Sequence, residues 1–204
     1  MKRDWHSARV TVVIAWVLAT SLVGCSPRQR LALWALNSPE YHVQNGWHML
    51  ERGQVGLAVR EFEMARAYDP QYAPCYVGLG VAYAEKGEYA HAFDFLTQAK
   101  ANVKQSGQLL QARVGAIRIL TKAHAAGHAP PAWLDLVEQE FTAAEQSHPK
   151  NPALYYFLAL AYKSGERFHK AVEAFEKVLE LNAAYVPEAK TELAALTART
   201  KVSP

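Results

Sequence analysis

Residues 80–99, GVAYAEKGEYAHAFDFLTQA, decide the fold. Tyr76, Leu79, Gly80 and Tyr83 share one helical face; Gly87 interrupts the pattern; Tyr89, Ala92, Leu96 and Ala99 restart it on a second helix. The stretch therefore predicts a helical hairpin. A lone hairpin cannot bury both apolar faces, so copies are expected elsewhere in the chain. They occur at a period of 34 residues: Gly46 with Gly80, Gly53 with Gly87, Ala58 with Ala92, Phe62 with Leu96, and Ala65 with Ala99.

The second copy reads Tyr76-x2-Leu79-Gly80-x2-Tyr83, then Ala92-x3-Leu96-x2-Ala99, with Lys104 where a closing proline would stand. The first keeps Gly46, Ala58, Phe62, Ala65 and Pro70, but has His42 and Asn45 at its two leading apolar positions. A further copy reads Tyr155-x2-Leu158-Ala159-x2-Tyr162, then Ala171-x3-Phe175-x2-Val178; its Gly165 comes one residue early, and Ala183 replaces the proline. Period and pattern resemble the tetratricopeptide repeat. The resemblance implies an all-α solenoid of about four hairpins, over residues 39–72, 73–106, 107–151 and 152–185, with a capping helix and tail at 187–204. The physics of the copies agrees with it. Gly46, Gly80 and Ala159 are small where two helices cross, Gly53 and Gly87 suit a left-handed helix end, and Phe62, Leu96 and Phe175 fill the remaining space.

The 107–151 stretch is the irregular member. A long helix over 108–126 ends at Gly127, His128-Ala129-Pro130-Pro131 forms a loop, and the following helix carries Val137-x3-Phe141-x2-Ala144 before Pro149. It is 11 residues longer than the family period. Insertions in solenoids usually map to loops on one face, often a functional one.

The first 24 residues are of another kind. Lys2, Arg3 and Arg9 precede an uncharged run from Val10 to Gly24, which is shorter than the ~20 residues of a membrane helix. Leu22-Val23-Gly24-Cys25 follows, so the segment reads as a secretory signal whose end resembles the bacterial lipobox. That resemblance implies cleavage at 1–24, acylation of Cys25 and a lipid-anchored tether over 25–38. Ser26 after the cysteine would send the protein to the outer membrane, facing the periplasm, in a Gram-negative cell. Leu31, Leu33, Trp34 and Leu36 are too apolar for a free linker; packing on the first repeat and lying at the lipid surface are both open.

Removing three basic residues and one acidic residue with the signal takes the formal net charge from +3 to +1. Nothing then favours nucleic-acid binding, which needs clustered Lys and Arg. Cys75 would be the one remaining thiol, with no intramolecular partner and no basic neighbour in sequence to activate it, so it reads as a buried inert thiol.

His124 and His128 have the spacing of two metal ligands on a helix, but no Cys or acidic residue accompanies them and His148 is the nearest third candidate. A metal-dependent enzyme built on them is the reading from a different class. No zinc-protease, phosphate-loop or serine-elbow motif is present. The sequence thus gives no catalytic residue, metal site, cofactor or small-molecule substrate. The function that the resemblance implies is a non-enzymatic adaptor or assembly factor of the cell envelope. The chain is similar to repeat lipoproteins that help assemble pili and their secretin pores, and to others that position peptidoglycan hydrolases.

In the repeat family the first helix of each hairpin lines a groove. Carried over, these positions are Gln44, Trp47 and Glu51, then Val77, Val81 and Glu85, then Gln111 and Arg118, then Tyr156, Phe157, Leu160 and Lys163. The Lys, Asn and Arg of the family's carboxylate clamp are absent. A concave, partly exposed surface of Trp47, Val77, Val81, Tyr156, Phe157 and Leu160 is expected to take apolar side chains of a protein or peptide partner. Packing of these residues against neighbouring helices is the competing expectation.

Overall fold

The computed structural model describes residues 38–202, with side chains through residue 198. The predicted signal, Cys25 and nearly all of the tether lie outside the described residues. Those described form nine helices and no strand: α1 (Pro39–Glu51), α2 (Val55–Tyr68), α3 (Ala73–Glu85), α4 (Tyr89–Ala101), α5 (Ser106–Ala125), α6 (Trp133–Glu145), α7 (Pro152–Ser164), α8 (Phe168–Leu181) and α9 (Val186–Val202). Helices α1 to α8 pair as four antiparallel hairpins, with α9 against α8. The first helices also touch in series, α1 on α3, α3 on α5 and α5 on α7. The fold is the expected all-α solenoid.

Each hairpin turns in the same way. Gly53, Gly87 and Gly127 have φ of 69°, 80° and 75°. In each case the next residue's N–H reaches back to a carbonyl five residues earlier: Gln54 to Met49 at 2.9 Å, Glu88 to Tyr83 at 2.9 Å and His128 to Ala123 at 2.8 Å. This is the six-residue Schellman closure, which needs one left-handed residue. In the fourth hairpin Arg167 N–H reaches Tyr162 at 2.8 Å, and the left-handed residue is Glu166, φ 58°, while Gly165 keeps φ −85°. The early glycine is therefore not the turn residue. Register won over residue preference, and Glu166 bears the strain.

The irregular hairpin keeps that closure too. Relative to α3, α5 begins seven residues further ahead of its turn glycine, and α6 begins four residues later after it than α4 does. Most of the insertion is thus added helix, about two turns of α5, rather than loop.

Two glycines admit one ring. A Cβ on Gly46 or on Gly78 would sit 2.4 or 2.3 Å from Cε1 of Phe62, which is itself wholly buried. Phe62 of α2 is thereby clasped by α1 and α3. Tyr76 and Tyr155 donate hydrogen bonds from their hydroxyls to the carbonyls of Pro70 and Pro149, at 2.6 and 2.8 Å, tying each helix to the turn before it. In the first hairpin His42 takes that place and its Nδ1 pairs with Glu61 at 2.8 Å.

Candidate functional site

The extended α5 shapes the surface lined by the first helices. It lies against α3 where Gly115 has no side chain: a Cβ there would be 2.6 Å from Cγ1 of Val77. Val77 and Val81 are consequently each only 2% exposed. Val81 packs with Ala92, Leu96, Ala116 and Ile119, and Val77, though 2% exposed, is among the residues lining a pocket. The expectation that both valines line a partly exposed surface is corrected here; α5 covers the face they were to present.

What remains open is a trough of two adjoining pockets. The first, about 370 Å³, is lined by Trp47, Leu50 and Glu51 of α1, Leu110, Val114 and Arg118 of α5, Phe157 of α7, and Tyr185. The second, about 400 Å³, is lined by Glu85, Thr121, Lys122, Leu160 and Lys163. Arg118 and Phe157 border both. Trp47, Phe157 and Leu160 thus belong to the trough. Tyr156 does not line either pocket: it stacks on Tyr185 at 4.7 Å and meets Phe175 edge-on at 5.9 Å, supporting the wall from behind. Of the polar positions, Gln111 lines the first pocket, whereas Gln44 is exposed and lines neither.

Arg118 sits at the centre. Its guanidinium carbon is 5.0 Å from the Trp47 ring centroid and 4.7 Å from that of Phe157, within cation–π range of both. Burial pulls its pKa below the ordinary guanidinium value, with Tyr185, Glu85 and Glu51 acting in the opposite sense. It remains a cation at neutral pH. Two other charges are already spent: Lys122 pairs with Glu85 at 2.6 Å, and Lys163 pairs with Glu192 of α9.

Residues 152–185 match the family model of the tetratricopeptide repeat. Those residues, the fourth hairpin, thus form a tetratricopeptide repeat. The fold of the chain is shared with solved structures. The pilF protein of Pseudomonas aeruginosa has 21% identity and a TM-score of 0.54, over 80% of this chain and 69% of that one. A chain of the APC/C hetero-tetramer Cut9–Hcn1 has 17% identity and a TM-score of 0.56, over 91% of this chain but only 33% of that one. No curated protein matches the chain by sequence.

A tetratricopeptide-repeat scaffold is generally a protein-interaction surface, and the remaining candidate residues are occupied structurally. His124 stacks on Trp133 at 4.0 Å and His128 on Tyr89 at 5.2 Å, so each ring is engaged by a different aromatic neighbour. His148 bonds Ser147. Among the described residues no cluster of three metal-ligating side chains occurs. Cys75 is fully buried, donates to the Tyr72 carbonyl at 2.9 Å, and has its pKa pushed up to about 12 by burial.

Sequence reasoning missed Tyr185, Leu50, Leu110 and Val114. Tyr185 is held at φ 65° in the short α8–α9 connection, which brings its ring edge-on to Phe157 at 5.6 Å. Its place at the end of the fourth repeat period was the available signal. Leu110 falls in the added turns of α5, where the 34-residue register gives no guide, and Val114 follows just after them.

Proposed function

We propose that the chain is a non-enzymatic adaptor of the bacterial cell envelope, tethered to a membrane through acylated Cys25, that captures an apolar segment of a partner protein in the trough. The trough itself carries this reading: four successive first helices and Tyr185 surround an open, largely apolar surface with aromatic walls. Open concave surfaces with aromatic anchors suit extended or amphipathic helical segments. The cationic head, short apolar run and lipobox-like Leu22-Val23-Gly24-Cys25 support the envelope location, with the outer membrane facing the periplasm as its finer form in a Gram-negative cell. The resemblance to repeat lipoproteins suggests pilus or secretin assembly as the partner system, with the positioning of peptidoglycan hydrolases as the alternative.

The test is capture from detergent-solubilised envelopes of the source cell. The wild type should retain a defined partner that Trp47→Ala and Phe157→Ala lose, while both variants melt as folded proteins. A partner retained equally by both variants would place binding elsewhere. Loss of surface pili on deletion, restored by the wild type and not by Trp47→Ala, is the expected result for the finer reading.

A further inference from the structure

We infer that the trough selects a partner segment bearing one internal carboxylate side chain between apolar residues, and that Arg118 is the residue that reads it. This rests on the trough being the docking surface.

Four Lys or Arg side chains are partly buried among the described residues: Arg66, Arg113, Arg118 and Lys163. Arg66 pairs with Glu63 at 2.6 Å, Arg113 with Glu140 at 2.9 Å, and Lys163 with Glu192. Arg118 is the exception: no described carboxylate lies within ion-pairing distance, and its guanidinium carbon lies over the rings of Trp47 and Phe157. The other cations lacking a carboxylate partner, such as Arg52 and Arg167, are exposed and solvated.

Neither ring accepts a conventional hydrogen bond, and Arg118 donates none to the described residues, so its five N–H donors are available for an acceptor. A wholly apolar occupant would strip water from that cation and offer nothing in return, which is a strong penalty. A carboxylate would instead form a charge-assisted, bidentate pair.

Position along the trough decides which carboxylate. Arg118 borders both pockets, so apolar surface extends to either side of it. A chain terminus would leave one side unfilled, whereas an internal Asp or Glu lets both pockets take side chains. Glu51 stands in the first pocket and Glu85 in the second. Glu51 disfavours a further acid on its side, while Glu85 is already paired with Lys122.

The probe is a random peptide display library with both peptide ends fused to carrier, run beside a twin library with free C-termini, on the full chain without its leader. The wild type should enrich apolar peptides with Asp or Glu at one central position in the end-fused library. Arg118→Met should keep the apolar preference and lose the acidic one. The best peptide should bind the wild type about ten- to a hundredfold more tightly than its Asn or Gln twin, the range for a bond to a charged group. On Arg118→Met the two should differ by less than about twofold. Should Arg118→Met fail to melt cooperatively, Arg118→Gln and Arg118→Lys carry the comparison, the lysine retaining part of the preference. Apolar peptides with no acidic position on the wild type would overturn the inference and leave the trough standing. Acid enrichment confined to free C-termini would also overturn it. No enriched peptide, or peptides indifferent to Trp47→Ala and Phe157→Ala, would overturn both the inference and the docking surface.

Discussion

Replacing Phe62 by alanine should change the sign of a second substitution, Gly46→Ala. Phe62 is fully buried, and its ring occupies the space where a Gly46 Cβ would stand, 2.4 Å from Cε1. Alone, Phe62→Ala should cost ~3–5 kcal/mol, a large share of the ~5–15 kcal/mol that holds a typical domain together. Gly46→Ala in the wild type gains about 1 kcal/mol of helix propensity but forces a methyl into a rigid ring, an overpacking cost of ~1–3 kcal/mol. Its net effect should be neutral to destabilising by about 2 kcal/mol. With Phe62 removed the clash disappears and only the propensity gain remains, so the same change should stabilise by about 1 kcal/mol. The coupling to be measured is therefore ~1–3 kcal/mol, read from urea midpoints of the four members of the cycle. Equal effects of Gly46→Ala in both backgrounds would refute the claim that one ring is clasped by the glycines of α1 and α3.

The other expectations follow the same physics. Ala92→Leu should destabilise by ~1–3 kcal/mol by thermal melt, since Ala92 is fully buried and its carbonyl is 3.1 Å from the Cβ position of Gly80. Glu166→Gly should stabilise by about 1 kcal/mol by relieving a left-handed residue at φ 58°; a loss would mean that the side chain contributes more than the strain costs. The Tyr155 hydroxyl is pushed up to about 12 by burial and by Glu145. The unfolded tyrosine ionises near its ordinary value of 10.0 while the folded one stays neutral, so its contribution is full below pH 10 and is lost as pH rises toward 12. Stability measured across that window should fall less steeply in Tyr155→Phe. Labelled fatty acid should enter the wild type and not Cys25→Ser; failure to label the wild type would remove the anchor.

The hairpins were legible because their determinants are local and repeated. A small residue at each crossing, a left-handed glycine at each turn and an aromatic filler recur at one spacing. Glu166 shows the limit of that reading, since the backbone closure holds the register even when the preferred glycine is displaced. The trough was legible only in part. Trp47, Phe157 and Leu160 follow from repeat positions. The burial of Val77 and Val81 depends on how closely α5 approaches α3, and that depends on a single missing side chain, at Gly115, which stands where α3 has Cys75 when the two helices are aligned on their turn glycines. Arg118 was visible as a groove position, but its placement between two rings from α1 and α7 is a long-range fact that no local pattern encodes.

Site-specific photocrosslinking in intact envelopes tests the central claim most directly. A photoreactive side chain at Leu160, in the trough, should yield one discrete adduct that is absent when the probe is placed at Met64, an exposed position on α2 that lines neither pocket. The adduct should disappear when Trp47→Ala is added. Adducts formed from Met64 and not from Leu160 would contradict the account and move the partner to the outer face of the solenoid.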